Sequence, residues 1–258
     1  MPRLAANLSF MFTEHAFPDR FAAAARCGFV GVEYISPLAY PKSEIAALLE
    51  DNGLSQALFN AGVGDWDAGE RGLAALPGAQ ARFRDEFARA LDYAQALHCA
   101  RLHVMAGLAQ GTAARETYLA NLDWAAAQAG PVGVALTIEP INEFDMPGYF
   151  LTRTAQARDI IAELGRPELG LQYDIYHAQR TEGALADTIA ANLGIIGHVQ
   201  IAAVPGRNEP DTGEIAMDFL LDRLDALGYA GWVGCEYRPR GRTEDGLGWA
   251  RRWGIRTA

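Results

Sequence analysis

The sequence predicts one closed (β/α)8 barrel, a single α/β domain spanning residues 1–258. Three observations predict it. Short apolar or β-branched runs alternate with Ala-rich amphipathic stretches, eight of each can be placed, and 258 residues is near the usual length of one such barrel. Strict alternation demands parallel strands with right-handed crossovers, and eight such units are the number that closes on itself. The rival is an open doubly wound sheet. That fold needs a glycine-rich phosphate turn after its first strand, and here the strand runs into Asn7-Leu8-Ser9-Phe10-Met11-Phe12 with no GxGxxG.

In chain order, the first strand is read over 4–10 and the first helix over 17–27, which Gly28 stops. A second strand at 29–35 leads to a helix at 43–51 that ends before Gly53. The third strand, 54–60, opens into a long glycine-rich loop, 60–78, holding Asp65, Trp66, Asp67, Glu70 and Arg71. Long loops on that face often cover an active site. Then come helix 79–98, strand 101–105, helix 114–129, strand 132–139 and helix 154–164 with Gly165 behind it. Strand 169–174, helix 184–192, strand 195–201, helix 217–227 with Gly228, strand 232–236 and a final helix at 243–252 complete the count. Ala, Leu, Arg and Glu, all good helix formers, dominate the helical stretches.

A net charge of -10, from 22 basic and 32 acidic residues, repels phosphate backbones and anionic lipid, so neither nucleic acid nor membrane is expected as a partner. The basic clusters at Arg238, Arg240 and Arg242 and at Arg251 and Arg252 are broken by Gly, Pro or Trp. Cys27, Cys99 and Cys235 are an odd set without CxxC or Cys/His metal spacing, which fits a reducing compartment. No opening h-region and no spanning apolar run is seen, so a cytoplasmic protein is expected; a homo-oligomer is allowed.

In such barrels the reacting groups project from the C-terminal ends of strands. Four consecutive strands end in polar residues, in Ile138-Glu139-Pro140, Tyr173-Asp174, Val199-Gln200-Ile201 and Cys235-Glu236. Glu139, Asp174, Gln200 and Glu236 are expected to converge. Crowded carboxylates repel unless a cation sits among them, and with an amide oxygen they make an all-oxygen shell suited to one Mg²⁺ or Mn²⁺ ion. His177, three residues past Asp174, is placed on a loop above that ion, where it can polarise a substrate oxygen. Arg207, after strand seven, offers a fork for a substrate carboxylate. Glu33 orients a neighbour of the site or forms a structural ion pair. Asp145 contacts substrate or His177, or serves the turn beside Pro147 and Gly148. His198, one layer below Gln200, reads as a satisfied core histidine. Asn60 and Trp66 wall the pocket or simply pack.

With these residues in place, the sequence resembles the hydroxypyruvate isomerase family, within the sugar isomerase and endonuclease IV-like superfamily of TIM barrels. The likeness spans almost the whole chain, through Ala5-Ala6-Asn7-Leu8-Ser9, the run from Gly64 to Gly72, Ile138-Glu139-Pro140-Ile141-Asn142, Gln172 to His177, and Trp232 to Tyr237. The resemblance implies that Glu139, Asp174, Gln200 and Glu236 hold the metal. It also implies that Glu139 and Glu236 are the acid/base pair, that His177 and Arg207 contact substrate, and that hydroxypyruvate and tartronate semialdehyde interconvert through an enediol. Asn60-Ala61-Gly62-Val63-Gly64 and Val104-Met105-Ala106-Gly107 depart from the hydroxypyruvate pattern, and a closely similar branch is the 2-oxo-tetronate isomerases. Isomerases or epimerases of neutral ketoses are the next alternative. An endonuclease IV-like phosphodiesterase would want a His-rich multi-metal site, against five histidines here, and a non-catalytic binder of small acids has no positive sign.

Overall fold

In the computed structural model, residues 2–257 are described. Alternation of short apolar runs leaves each strand buried on both faces, which only a parallel sheet wrapped by helices satisfies. Strands β1 (Arg3–Asn7), β2 (Gly31–Tyr34), β3 (Ser55–Ala61), β4 (Arg101–Val104), β5 (Ala135–Ile138), β6 (Leu169–Asp174), β7 (Ile196–Ile201) and β8 (Trp232–Cys235) form a closed barrel. Each strand pairs in parallel with its neighbours in sequence, and β8 returns to β1.

The outer ring consists of α1 (Phe17–Arg26), α2 (Lys42–Asp51), α3 (Gln80–Ala96), α4 (Gly111–Ala129), α5 (Thr154–Leu164), α6 (Ile175–Thr181), α7 (Leu185–Asn192) and α8 (Met217–Ala226). Apolar spacing aims each helix. In α3 the buried residues are Phe83, Phe87, Ala90 and Ala94, a single stripe at helical period. Phe87 meets Trp124 of α4 edge-on at 5.7 Å, and truncating so enclosed a ring to Ala costs about 3–5 kcal/mol. On the other side, Phe17 and Phe21 of α1 pack on Tyr34 of β2, which stacks on Phe59 of β3.

The four helix-stopping glycines all take left-handed φ, from 56° at Gly165 to 90° at Gly28. Several elements differ from expectation. Strand β1 ends at Asn7 rather than residue 10, because the Asn7 side chain and carbonyl accept from the N–H groups of Ser9, Phe10 and Met11 and turn the chain. β5 starts at Ala135, since Gly130–Val132 forms a 3₁₀ turn around Pro131. The stretch at 243–252 is 3₁₀ over Glu244–Trp253, with Gly246 and Gly248 weakening any α-helix. Helix α6 was not expected. It begins directly after β6 because the Asp174 side chain caps it, accepting from the Tyr176 N–H at 2.8 Å. Among the described residues no helix is long and apolar enough to cross a membrane.

Candidate active site

A cavity of about 480 Å³ opens at the C-terminal ends of the strands. Glu139 and Glu236 line it, whereas Asp174 and Gln200 do not, and parallel register explains why the four gather at this end. Asp174 pairs with Gln200 and Gln200 with Gly234, so Glu236, two residues further on, returns to the same face. Glu139 follows β5 by one residue. These groups form one connected network. His177 Nε2 lies 3.6 Å from Asp174 Oδ2 and 3.9 Å from Glu139 Oε1. Arg207 Nη2 lies 3.5 Å from Asp174 Oδ2 and 3.2 Å from Glu236 Oε1. Gln172 Nε2 donates to Glu139 Oε2 at 3.1 Å and to Gln200 Oε1 at 2.8 Å.

Burial and like charge govern the protonation of the three carboxyl groups. Burial first, then Glu236 and Asp174, push the Glu139 carboxyl well above its ordinary range. Burial lifts Glu236 to about 8 and Asp174 to about 6, with the Arg207 guanidinium pulling both back down. For Arg207 burial opposes the charge, but Glu236, Asp174 and Glu139 outweigh it and keep the guanidinium ionised. Asp174 Oδ2 is buried without a hydrogen bond. Single ligand atoms of Glu139, Asp174 and His177 all lie within 4.8 Å of one another. An orphaned carboxylate oxygen among mutually repelling carboxyls, with an amide oxygen alongside, fits a hard divalent cation.

His177 stands in the first turn of α6, not on a loop, because the Asp174 cap starts the helix immediately. Burial and then Arg207 hold its pKa well below the usual imidazole value, so the ring is neutral. Its Nδ1 accepts from the Asn142 backbone N–H at 3.3 Å and the Asn142 side-chain amide at 2.6 Å. That amide is itself oriented by Asp145, which accepts from Asn142 Nδ2 at 3.1 Å and donates its N–H to Oδ1 at 2.9 Å. The hydrogen-bond pattern therefore assigns the His177 proton to Nε2, facing the carboxyl cluster. Asp145 thus reaches His177 only through Asn142, and its other oxygen lies 3.5 Å from Arg180.

A second polar layer lies beneath. Glu33, fully buried, accepts from Gln200 Nε2 at 2.8 Å and Asn7 Nδ2 at 3.0 Å, and its other oxygen lies 2.7 Å from His198 Nε2. Because Gln200 turns its Nε2 to Glu33, its oxygen points the other way, towards Gln172. Room for this comes from Gly234, where a Cβ would stand 2.3 Å from the Glu33 oxygens. His198 is half satisfied rather than fully so, as its Nδ1 has no partner.

Asn60 and Trp66 both line the cavity. Arg207 sits on the loop after β7 at φ 52°, a left-handed conformation held by its N–H on Ala203 O and its carbonyl under the Arg238 N–H. Phe10 and Tyr176 flank its guanidinium at 5.1 and 4.9 Å. The fork expected to meet a substrate carboxylate is thus already engaged by Asp174 and Glu236. His103 escaped the sequence reading. Its Nδ1 lies 3.2 Å from Asn60 Oδ1 and 3.5 Å from Glu139 Oε2, and burial pushes its pKa down to about 3, leaving it neutral. A parity count would have found it, because Asn60, His103 and Thr137 share one register and Thr137 precedes Glu139 by two. Gln172 shares the parity of Asp174 two residues on and pairs with His198, so the same count marks it, whereas Asn142 and Tyr176 lie beyond the strand ends where no periodicity marks them.

The chain matches the xylose isomerase-like TIM barrel family over residues 21–253. It is 53% identical to a 2-oxo-tetronate isomerase of Cupriavidus necator, covering 97% of this chain and 98% of that one. Identity to a hydroxypyruvate isomerase of Escherichia coli is 45%, over 96% and 98% of the two chains. Among solved structures, one described as an AP endonuclease, family 2, from Brucella melitensis superposes with a TM-score of 0.96 at 46% identity, covering 98% of this chain and 99% of that one.

Proposed function

The chain belongs to the xylose isomerase-like TIM barrel family, and from that premise we propose that it is a divalent-metal-dependent isomerase of small hydroxy-oxo acids. The observation that carries the reading is the cluster of Glu139, Asp174 and Glu236 at the strand ends, in which Glu139 and Glu236 line a cavity of about 480 Å³ and one buried Asp174 oxygen makes no hydrogen bond. The substrate is a 2-oxo acid with a hydroxyl on the next carbon. 2-Oxo-tetronate is the first candidate, on the kinship at 53% identity, and hydroxypyruvate the second, on that at 45%.

Glu139, Asp174, Glu236 and the Gln200 oxygen would hold a single Mg²⁺ or Mn²⁺ ion. When bound, such an ion supplies positive charge to the substrate's adjacent carbonyl and hydroxyl oxygens, acidifying the C–H between them. One of Glu139 and Glu236 takes that proton and the other delivers one to the neighbouring carbon. Positioned acid/base groups of this kind contribute about 10²- to 10⁴-fold in rate. The hydroxyl proton crosses in the opposite sense, so an enediol separates two isomers and no redox partner is consumed. His177 Nε2–H donates to a substrate oxygen, its tautomer fixed by Asn142. Gln172 holds Glu139 and Gln200 at a constant separation. Arg207 draws the carboxyl pKa values of Asp174 and Glu236 down by its charge, against the effect of burial. Asn60 and Trp66 line the cavity.

The test is to strip the protein of metal, restore Mg²⁺ or Mn²⁺, and follow isomerisation of 2-oxo-tetronate and hydroxypyruvate. Metal-restored turnover of either supports the reading, and turnover of neither refutes it.

A further inference from the structure

Arginines 71, 180, 207 and 238 all border the cavity, but their partners differ. Arg207 is held by Asp174 and Glu236. Arg180 lies 3.5 Å from Asp145 and donates to the Tyr176 hydroxyl at 2.8 Å. Arg71 has no such anion. Its Nη1 donates to the carbonyl oxygens of Trp66 at 3.0 Å and Glu70 at 2.6 Å, and its guanidinium lies 4.4 Å over the Trp66 ring. The adjacent acid, Glu70, is taken by Arg82 and by the Asp65 N–H. Among the described residues no carboxylate pairs with Arg71.

Two carbonyls and an indole orient this guanidinium without cancelling its charge. Its Nε–Nη2 edge keeps its donors, and that side-on fork matches a carboxylate bidentately. Placement also favours it. Arg71 follows β3, four strands round the barrel from β7, so it faces the carboxyl cluster of β5 to β8 across the mouth. Among the described residues Arg238 also has no carboxylate paired with it, but it follows β8 on the cluster's own side and is exposed over Phe10.

We propose that Arg71 seats the substrate's carboxylate and is the contact by which this site prefers hydroxy-oxo acids over neutral ketoses. This rests on the isomerase reading above. An acid whose carbonyl and hydroxyl oxygens lie at the cluster of β5 to β8 has room for its carboxylate only across the mouth, towards the loop after β3. Arg71 meets it there.

The experiment compares wild type with Arg71→Met, Arg71→Lys, Arg207→Met and Arg238→Met. Substrates are 2-oxo-tetronate and L-erythrulose, a neutral ketose carrying a hydroxymethyl group in place of the carboxylate. Binding of D-erythronate, a four-carbon acid with no oxo group to isomerise, is measured by calorimetry in parallel. Arg71→Met should raise KM for the acid, and weaken D-erythronate binding, by roughly 10- to 100-fold, with kcat within about threefold. KM for erythrulose should not move, and Arg71→Lys should recover part of the loss. An unchanged KM and unchanged erythronate binding in Arg71→Met overturn the proposal, as does an equal loss for acid and ketose, which would mean that Arg71 only braces its loop. A KM effect confined to Arg207→Met or Arg238→Met assigns the seat elsewhere. Absence of turnover in wild type would refute the isomerase reading alone, because erythronate binding still decides for or against Arg71.

Discussion

A divalent cation added to the metal-free protein should expel protons, in a number set by the burial of the cluster. Glu236, lifted to about 8, is about nine-tenths protonated at pH 7, whereas Asp174, at about 6, is about one-tenth protonated. Glu139, held above its ordinary range by burial and by Glu236, brings the total to about one to two protons. Coordination needs all three ionised, so affinity should rise with pH from about 6 to 8. The slope is about one to two powers of ten per pH unit near pH 7. The sign follows from carboxyl pKa values that are raised in the metal-free state; lowered values would make the affinity flat over this range. Calorimetric titration with Mn²⁺ in buffers of different ionisation enthalpy reads the proton count directly. Arg207→Met, which removes the charge restraining Asp174 and Glu236, should release more protons and bind Mn²⁺ more weakly at pH 7. Heat independent of buffer together with a flat affinity from pH 6 to 8 would refute the argument that this cluster is the cation's seat.

Glu236→Gln should lower kcat by at least about 10³-fold, since it removes an acid/base group, while the circular dichroism melt stays near wild type; wild-type turnover would remove Glu236 from the chemistry. Glu33→Gln turns an amide N–H₂ towards one of the three nitrogens its carboxylate now meets, at Asn7, His198 and Gln200. A loss of about 2 kcal/mol by urea unfolding is expected, with weaker metal affinity as Gln200 loses its orientation; unchanged values for both would show the lower layer to be inert. Gly234→Ala places a methyl against Glu33 and should cost about 1–3 kcal/mol and reduce activity, checked by the same unfolding and turnover measurements.

The barrel was legible because its signals are local. Strand and helix periods, the glycine stops at Gly28, Gly53, Gly165 and Gly228, and the count of eight units need only neighbours along the chain. The same holds for Glu139, Asp174, Gln200 and Glu236: in a parallel barrel a polar residue closing a strand has only one rim to occupy. Even α6 carries a local cue, an aspartate directly before Ile175 that can cap a helix.

Contacts across the lumen had no such cue. Glu33 meets Gln200 over a separation of 167 residues and His198 over 165, and which residues come level depends on barrel stagger and on one-residue irregularities such as that between Leu171 and Gln172. So the sequence alone determined the architecture and the acids at its rim, because periodicity is a short-range property. Only tertiary closure decided that His103 lies beside Glu139, that Arg207 is tied to Asp174 and Glu236, and that Arg71 meets carbonyls and no carboxylate among the described residues, because pairing between charges is settled by distance in space and not by spacing along the chain.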